Sequence, residues 1–321
     1  MTFILPTEPL TWTMAWRAWH FDIAAALCAV LLAAGYGWAL SRARRHRSDI
    51  SAAWVSCFFI GIGCWVLACM SVIGVYAHTL LWMRALQVVV LLLVVPFFLT
   101  LGRPVTVVRS ALRPAALAGF DRAVSSAPAQ ILTHPLTTSL AMLATPWLLY
   151  LTPWYTASLT NGPLGAATRT LLALIGFAYF YARLQVDPVP RKYPQLISLL
   201  ISVAETIGDG VLGLVLWQGP LVASAYYLAL HRSWGPDLRT DQTIGAGVLW
   251  ILGDVLGLPF LLLLMRALSA DDKAHAAQID AELDRAAQSS SAADAAAPDD
   301  SAPSALWWEN DPQLRDRFGR G

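Results

Sequence analysis

The chain has 321 residues, of which 57% are hydrophobic and 13% are charged, and its formal net charge is +1. With a mean hydropathy of +0.54, it is too apolar for a soluble globular domain, and the composition predicts a multi-pass membrane protein in contact with the lipid bilayer. The balanced charge, without a basic arm, a Cys/His finger or a glycine-rich phosphate loop, predicts no nucleic-acid partner.

The N-terminal residues, 1 to 21, are predicted to form an interfacial segment on the outer face of the membrane. Trp12, Trp16 and Trp19 recur there at helical spacing, and tryptophan favours the membrane–water boundary. Seven apolar segments follow, each long enough, at about 1.5 Å per residue, to cross a hydrocarbon core of about 30 Å. They cover residues 22 to 40, 52 to 76, 79 to 101, 136 to 154, 166 to 184, 194 to 217 and 244 to 265.

The fold class predicted from these segments is an all-α membrane protein, in which residues 22 to 268 form a bundle of seven transmembrane helices. Three alternate loops hold ten Lys and Arg residues, whereas the N-terminal segment and the opposite loops hold three. Because basic loops stay in the cytoplasm, the N-terminus is predicted outside and the C-terminus inside. Residues 269 to 321 are predicted to be a cytoplasmic tail, with a charged helix to about residue 288 and little order beyond it, because large apolar side chains are scarce.

Carboxylates interrupt two of the apolar segments. Asp254 lies halfway along the seventh, and Glu205 and Asp209 share one face of the sixth at i and i+4. All three are predicted to meet near mid-depth, where an acid is costly, and at least one is expected to hold a proton. Arg84, near the start of the third segment, is predicted either to pair with Asp209 or to reach outward. Two interpretations remain open, a neutral cluster that fixes helix packing and a site that handles protons or metal ions.

Three histidines, His20, His78 and His231, are predicted at the outer face of the membrane. Together with Asp241 they are ligand types that suit copper or zinc. Since they come from separate loops, the alternative is that each is an ordinary interfacial residue. The sequence therefore offers one candidate outer metal site.

Three stretches resemble the CtaG-like (caa3-type) cytochrome c oxidase assembly proteins. They are "LQVVVLLLVVPFFLTLGRPVT", "GFAYFYARLQVDPVPRKYP" and "DQTIGAGVLWILGDVLGLP", in that order, and the resemblance extends over roughly residues 22 to 268. It places the following residues on family motif positions: Gln87, Pro96, Gly102, Pro104, Gly176, Asp187, Pro188, Asp241, Gln242, Trp250 and Asp254.

The resemblance implies a chaperone-like role in maturing a haem–copper cytochrome c oxidase of the respiratory chain, in a bacterial inner (plasma) membrane. It implies copper supplied to the copper centres of the oxidase, with oxidase subunits or copper proteins as partners. The family usually carries an HxxxH before the proline of its third span, and Arg84 and Val88 stand at those places here. The spans are therefore predicted not to hold copper stoichiometrically.

No nucleophile–base pair or cofactor fingerprint is recognisable, so the protein is not predicted to be an enzyme, and copper is the one cofactor candidate. Two functions other than oxidase assembly remain open. One is a transporter that moves protons or metal cations past Glu205, Asp209 and Asp254. The other is a scaffold subunit that binds a membrane complex without chemistry.

Overall fold

The computed structural model describes residues 8–45, 49–188 and 195–295, and its regular elements there are all helical. The helices of the first part are α1 (Trp12–Arg17), α2 (Ile23–Arg45), α3 (Ala52–Met70), α4 (Val72–Tyr76), α5 (Leu81–Val89), a π-helical stretch (Val90–Val94), α6 (Val95–Leu101), α7 (Pro104–Ala111), α8 (Pro114–Val124) and α9 (Ala127–Leu132). Those of the second part are α10 (Pro135–Leu151), α11 (Trp154–Thr160), α12 (Gly162–Leu184), α13 (Gln195–Gln218), α14 (Ser224–Ala229), α15 (Leu238–Gly247), a second π-helical stretch (Val248–Leu252) and α16 (Gly253–Ala295).

Six helical segments of the described residues are long and apolar enough to cross a membrane. They are Ile23–Arg45, Ala52–Tyr76, Leu81–Ala111, Gly162–Leu184, Leu200–Gln218 and Leu238–Leu263. The segment predicted as the fourth span is helix α10, whose 17 residues measure about 25 Å. A seventh span and the orientation of the termini therefore stay predictions, whereas the all-helical membrane fold is confirmed.

The chain divides into two compact units, Met1–Leu268 and Ser269–Gly321. Helix α16 ends at Ala295, beyond residue 288, where the charged helix was predicted to end. Residues 296 to 321, the remainder of the predicted tail, lie outside the described part of the chain.

The segment Leu81–Ala111 is the most buried of the six, and a proline shapes its middle. Pro96 has no N–H to donate to the carbonyl of Leu92, four residues earlier, and the π-helical stretch Val90–Val94 contains that carbonyl. The carbonyl faces Gly176 of α12, where a Cβ atom would lie 2.1 Å from the Leu92 oxygen. A glycine at this position therefore lets α12 approach the irregular turn closely.

Candidate functional site, an acidic cavity beside a buried arginine

A cavity of about 340 Å³ lies between α10, α12, α13 and α16. Glu205 and Asp209 of α13 and Asp254 of α16 are in its wall, so the structure brings these three carboxylates together. The apolar residues of the wall are Leu93, Met142, Leu143, Phe180, Leu258, Phe260 and Leu261. The site is thus an acidic patch inside a largely apolar chamber.

Arg183, in the last turn of α12, compensates one of the three acids. Its side chain is fully buried and its Nη1 donates to Glu205 Oε2 at 3.1 Å. The same guanidinium donates to the hydroxyl oxygens of Ser139 at 2.9 Å and Ser202 at 2.5 Å. The Tyr179 hydroxyl donates to Glu205 Oε2 at 2.7 Å. These three helix-borne side chains therefore support the ion pair with hydrogen bonds, as a buried pair requires.

Two aromatic rings pack against the arginine of the ion pair. The Arg183 guanidinium carbon lies 4.9 Å from the centre of the Tyr179 ring and 5.5 Å from that of the Phe260 ring, within the range of cation–π attraction. Sequence reasoning missed Arg183. The available signal was an arginine at the end of an apolar segment, and only the packing shows that it faces the helix that carries Glu205.

Arg84 was predicted to join the acids, and the structure contradicts this. Its side chain is 1% exposed, and it donates to Gln87 Oε1 at 2.6 Å and to Ser158 Oγ at 3.1 Å. It neither pairs with Asp209 nor reaches outward, because α5 packs against α4 and α15, away from the helices that enclose the cavity. Arg84, Gln87 and Ser158 therefore form a buried polar group that is separate from the cavity.

Asp209 and Asp254 have no ion pair with a basic side chain in the ranges that the structure describes. The helices that carry them approach closely because Trp250 packs over glycines of α13. A Cβ atom on Gly213 would lie 2.9 Å from Trp250 Cβ, and one on Gly210 would lie 3.3 Å from its indole nitrogen. The two aspartates thus share one cavity with their charges unopposed by any described cation.

The predicted metal site at His20, His78 and His231 does not form. Among residues 8–45, 49–188 and 195–295, no three His, Cys, Asp or Glu side chains are placed to hold one metal ion. His78 is buried, and desolvation lowers the pKa of its imidazole to about 3. His20 and His231 are exposed, the latter at a left-handed backbone position with φ 46°. The three imidazoles are therefore not placed to share one ion.

Asp241, the fourth residue of that hypothesis, caps a helix. Its carboxylate is 1% exposed and accepts the backbone N–H groups of Leu81 at 3.1 Å and Trp82 at 3.0 Å. These groups open α5, whose own cap residue supplies no side-chain bond. Arg232 adds a contact at 3.4 Å. Asp241 therefore joins α15 to the N-terminus of α5, where an anion is stabilised.

Two motif glutamines also bind backbone groups of other segments. Gln242 accepts from the N–H of Val222 at 2.8 Å and donates to the carbonyl of Leu216 at 2.7 Å. Gln87 donates to the carbonyl of Ala68, at the end of α3, at 2.7 Å. Each amide thus satisfies backbone groups that a helix end leaves open.

The motif around Asp187 does the same on the other side of the bundle. Its carboxylate accepts the N–H groups of Val105 at 3.0 Å and Thr106 at 2.9 Å, and the Thr106 hydroxyl at 2.5 Å. These residues open α7, directly after Pro104. Burial raises the pKa of Asp187, and the bonds from Thr106 act against that shift. Asp187 and Asp241 are therefore equivalent caps on two different helices.

Two further motif positions contribute backbone carbonyls. The Tyr36 hydroxyl donates to the carbonyl of Gly102 at 2.9 Å, and that of Tyr181 donates to the carbonyl of Pro188. Most of the motif residues thus hold the bundle together, whereas Trp250 and Asp254 face the cavity region.

The arrangement defines a class, a multi-pass helical membrane protein whose segments are fastened by polar side chains and whose helices line an acidic cavity. The family described as "Cytochrome c oxidase caa3 assembly factor (Caa3_CtaG)" matches residues 34–271. The chain belongs to this family, as its three motif stretches predicted.

Curated relatives come from mycobacteria. Over 290 residues the chain is 23% identical to the uncharacterized protein Mb0105 of Mycobacterium bovis and, equally, to MT0111 of Mycobacterium tuberculosis, covering 86% of this chain and 43% of each relative. It is 24% identical over 241 residues to ML1998 of Mycobacterium leprae, covering 72% of this chain and 36% of that protein. The chain thus spans less than half the length of these relatives. No solved structure matches it.

Proposed function

We propose that the protein is an assembly factor for a cytochrome c oxidase in a bacterial inner membrane. The observation that carries the proposal is the family match over residues 34–271, which includes the cavity and the capping residues. In this proposal seven spans cross the membrane, with the N-terminus outside and the C-terminus in the cytoplasm. The protein acts by binding oxidase subunits during their maturation and needs no catalytic group.

The test is deletion of the gene followed by complementation. Loss of the protein should lower oxidase activity and the copper content of the purified oxidase while leaving synthesis of its subunits unchanged. Membranes carrying the protein with a tagged C-terminus should yield oxidase subunits or copper proteins on purification, compared with an equally tagged, unrelated multi-pass protein. Normal oxidase activity in the deletion strain would refute the proposal.

Copper enters this proposal as cargo for the oxidase. Because Arg84 and Val88 occupy the positions where the family usually has imidazoles, the spans should not retain copper after a chelator wash. Elemental analysis of the purified protein measures this. One copper per chain, lost on replacing Glu205 or Asp209, would show that the acids are ligands after all.

A second function, movement of protons or cations, is favoured by the charges in the cavity. Glu205 is neutralised by Arg183, whereas Asp209 and Asp254 face the same chamber without a basic partner among the described residues. Acids within a membrane are retained at a cost and commonly take part in ion or proton pathways. Movement of ions would use the carboxylates of the cavity, whereas a scaffold would need only the folded shape of the protein.

Replacing Asp254 distinguishes the two functions. Asp254→Asn keeps the shape and hydrogen bonding of a protonated acid, whereas Asp254→Leu leaves polar neighbours unsatisfied, at roughly 1–3 kcal/mol. We expect the Asn variant to accumulate normally and the Leu variant to accumulate less. If the acid only packs, the Asn variant supports oxidase maturation; if it handles protons or cations, maturation is lost at normal abundance. A Leu variant equal to wild type in both respects would remove Asp254 from the site.

A further inference from the structure

The N-terminal segment exposes an aromatic platform, defined here as Trp12, Trp16, Trp19 and Phe21. Their exposed fractions are 89%, 81%, 52% and 73%. Together the indoles present roughly 500 Å² of aromatic surface, as much as the largest apolar patch of a typical soluble monomer. Such a surface requires a partner phase or a partner molecule.

The platform is fastened to the bundle from behind. The Tyr76 hydroxyl donates to the carbonyl of Glu8 at 3.0 Å, and the backbone N–H of His20 donates to the carbonyl of Met70 at 2.9 Å. Leu10 packs against the apolar cluster around Tyr76. Both ends of the segment are therefore attached to the ends of α3 and α4, which leaves the rings on a fixed support.

The apolar surface of α2 begins directly beyond the platform. Ile23, Leu27, Val30 and Leu31 are 50% to 71% exposed and recur at helical spacing, which is the pattern of a helix face turned toward lipid. Arg17, exposed on α1, adds a cation whose stem can lie along the apolar surface while its charge reaches a phosphate group. An amphipathic indole beside a cation, at the start of a lipid-facing stripe, suits the headgroup region of a bilayer.

We infer that the aromatic platform lies in the lipid headgroup boundary and sets the depth and tilt of the bundle. The chemistry it recognises is that of a phospholipid bilayer surface, with apolar chain ends below the rings and phosphate beside Arg17. Because the platform is attached to α3 and α4, its depth determines the depth of the loops at that end of the bundle. This inference is independent of the proposed role in oxidase assembly.

The test uses brominated phospholipids, which quench nearby indoles. The protein and a triple variant, Trp12→Phe, Trp16→Phe and Trp19→Phe, are reconstituted into phosphatidylcholine vesicles with bromine either next to the headgroup or at the chain ends. The difference in emission between the two proteins reports the three indoles. Most of this difference should be lost with bromine near the headgroup and retained with bromine at the chain ends.

Trp65→Phe is the matched control, because Trp65 is 2% exposed and its indole donates to the carbonyl of Ala25 at 3.0 Å. Its contribution should be quenched by neither lipid. A platform signal quenched by neither lipid and emitting as in water would overturn the inference, as would stronger quenching by the chain ends. An unquenched signal combined with loss of oxidase co-purification in the triple variant would assign the surface to a protein partner instead.

Discussion

The buried pair of Arg183 and Glu205 gives the sharpest stability prediction. Glu205→Ala leaves the arginine charge buried without an anion, and breaking a buried pair in this way costs about 3–5 kcal/mol. The guanidinium keeps its bonds to Ser139 and Ser202, which places the loss at the lower end of this range. The Tyr179 hydroxyl loses its acceptor, which adds about 1 kcal/mol. We therefore expect a total loss of about 4 kcal/mol in the free energy of unfolding.

The free energy of unfolding is measured by titration with SDS in mixed micelles. The matched control is Asp121→Ala, which removes an ion pair with Arg109 at 2.9 Å, a similar distance, but with side chains that are 42% and 47% exposed. Solvent screens such a pair, so no measurable loss is expected. Equal losses for Glu205→Ala and Asp121→Ala would refute the assignment of a buried pair.

A double variant separates the charge from the packing. Replacing both partners, with Arg183→Met and Glu205→Leu, removes the isolated charge, and similar exchanges elsewhere are neutral or stabilising. The double variant should therefore be more stable than Glu205→Ala. Arg183→Met and Glu205→Leu are also measured singly. If the double variant loses as much stability as these two variants together, the side chains do not interact, and the reasoning from the ion pair fails.

Three other outcomes are expected. Gly176→Ala should lower stability by about 1–3 kcal/mol, measured in the same titration, because the new Cβ meets the Leu92 carbonyl. The free energy of unfolding of the wild type should fall as the pH drops from about 6.5 toward 3, because the imidazole of His78 binds a proton in the unfolded state but stays neutral when buried. At pH 5 the loss relative to His78→Gln should be about 2 kcal/mol. Single cysteines at Ser48 and Ser233 should react with an impermeant reagent from opposite sides of the membrane, as the loop charges predict.

Two of these outcomes have a control variant, and the third has a refuting result. Gly37→Ala should cause no loss, since no atom lies within 4 Å of its Cβ position and alanine favours a helix over glycine. A loss equal to that of Gly176→Ala would refute the assignment of that loss to the Leu92 contact. His231→Gln, at an exposed position, should keep the wild-type pH profile, and a flattened profile would contradict the assignment to His78. Labelling of both cysteines from outside would refute the orientation.

The apolar segments could be read from the sequence because membrane spans are set by length and composition alone. The positions of the three carboxylates followed from helical spacing. The basic residue that pairs with these carboxylates could not be predicted, because Arg84 and Arg183 both lie near the ends of apolar segments. The packing alone decides between them. Helices α12 and α10 lie against α13, which carries Glu205, whereas α5, which carries Arg84, does not.

The roles of the motif residues could not be predicted from the sequence either. A sequence shows that Asp187 and Asp241 follow or precede particular segments, but not that each accepts two N–H groups from a helix about 80 or 160 residues away. The outer metal site failed for a related reason, since ligand types in loops carry no information on their separation. The π-helical stretches were missed because their hydrogen-bond register depends on tertiary contacts.

The second π-helical stretch, Val248–Leu252, adjusts the angular phase of its helix. Asp254 is 13 positions after Asp241, so an uninterrupted α-helix at about 100° per residue would set the two about 220° apart. A π-helical turn absorbs one residue, which reduces this angle to about 120°. Deleting one residue within the stretch should therefore produce a regular α-helix that still caps α5 at one end and presents Asp254 to the cavity at the other. The same deletion two turns later would rotate everything beyond it.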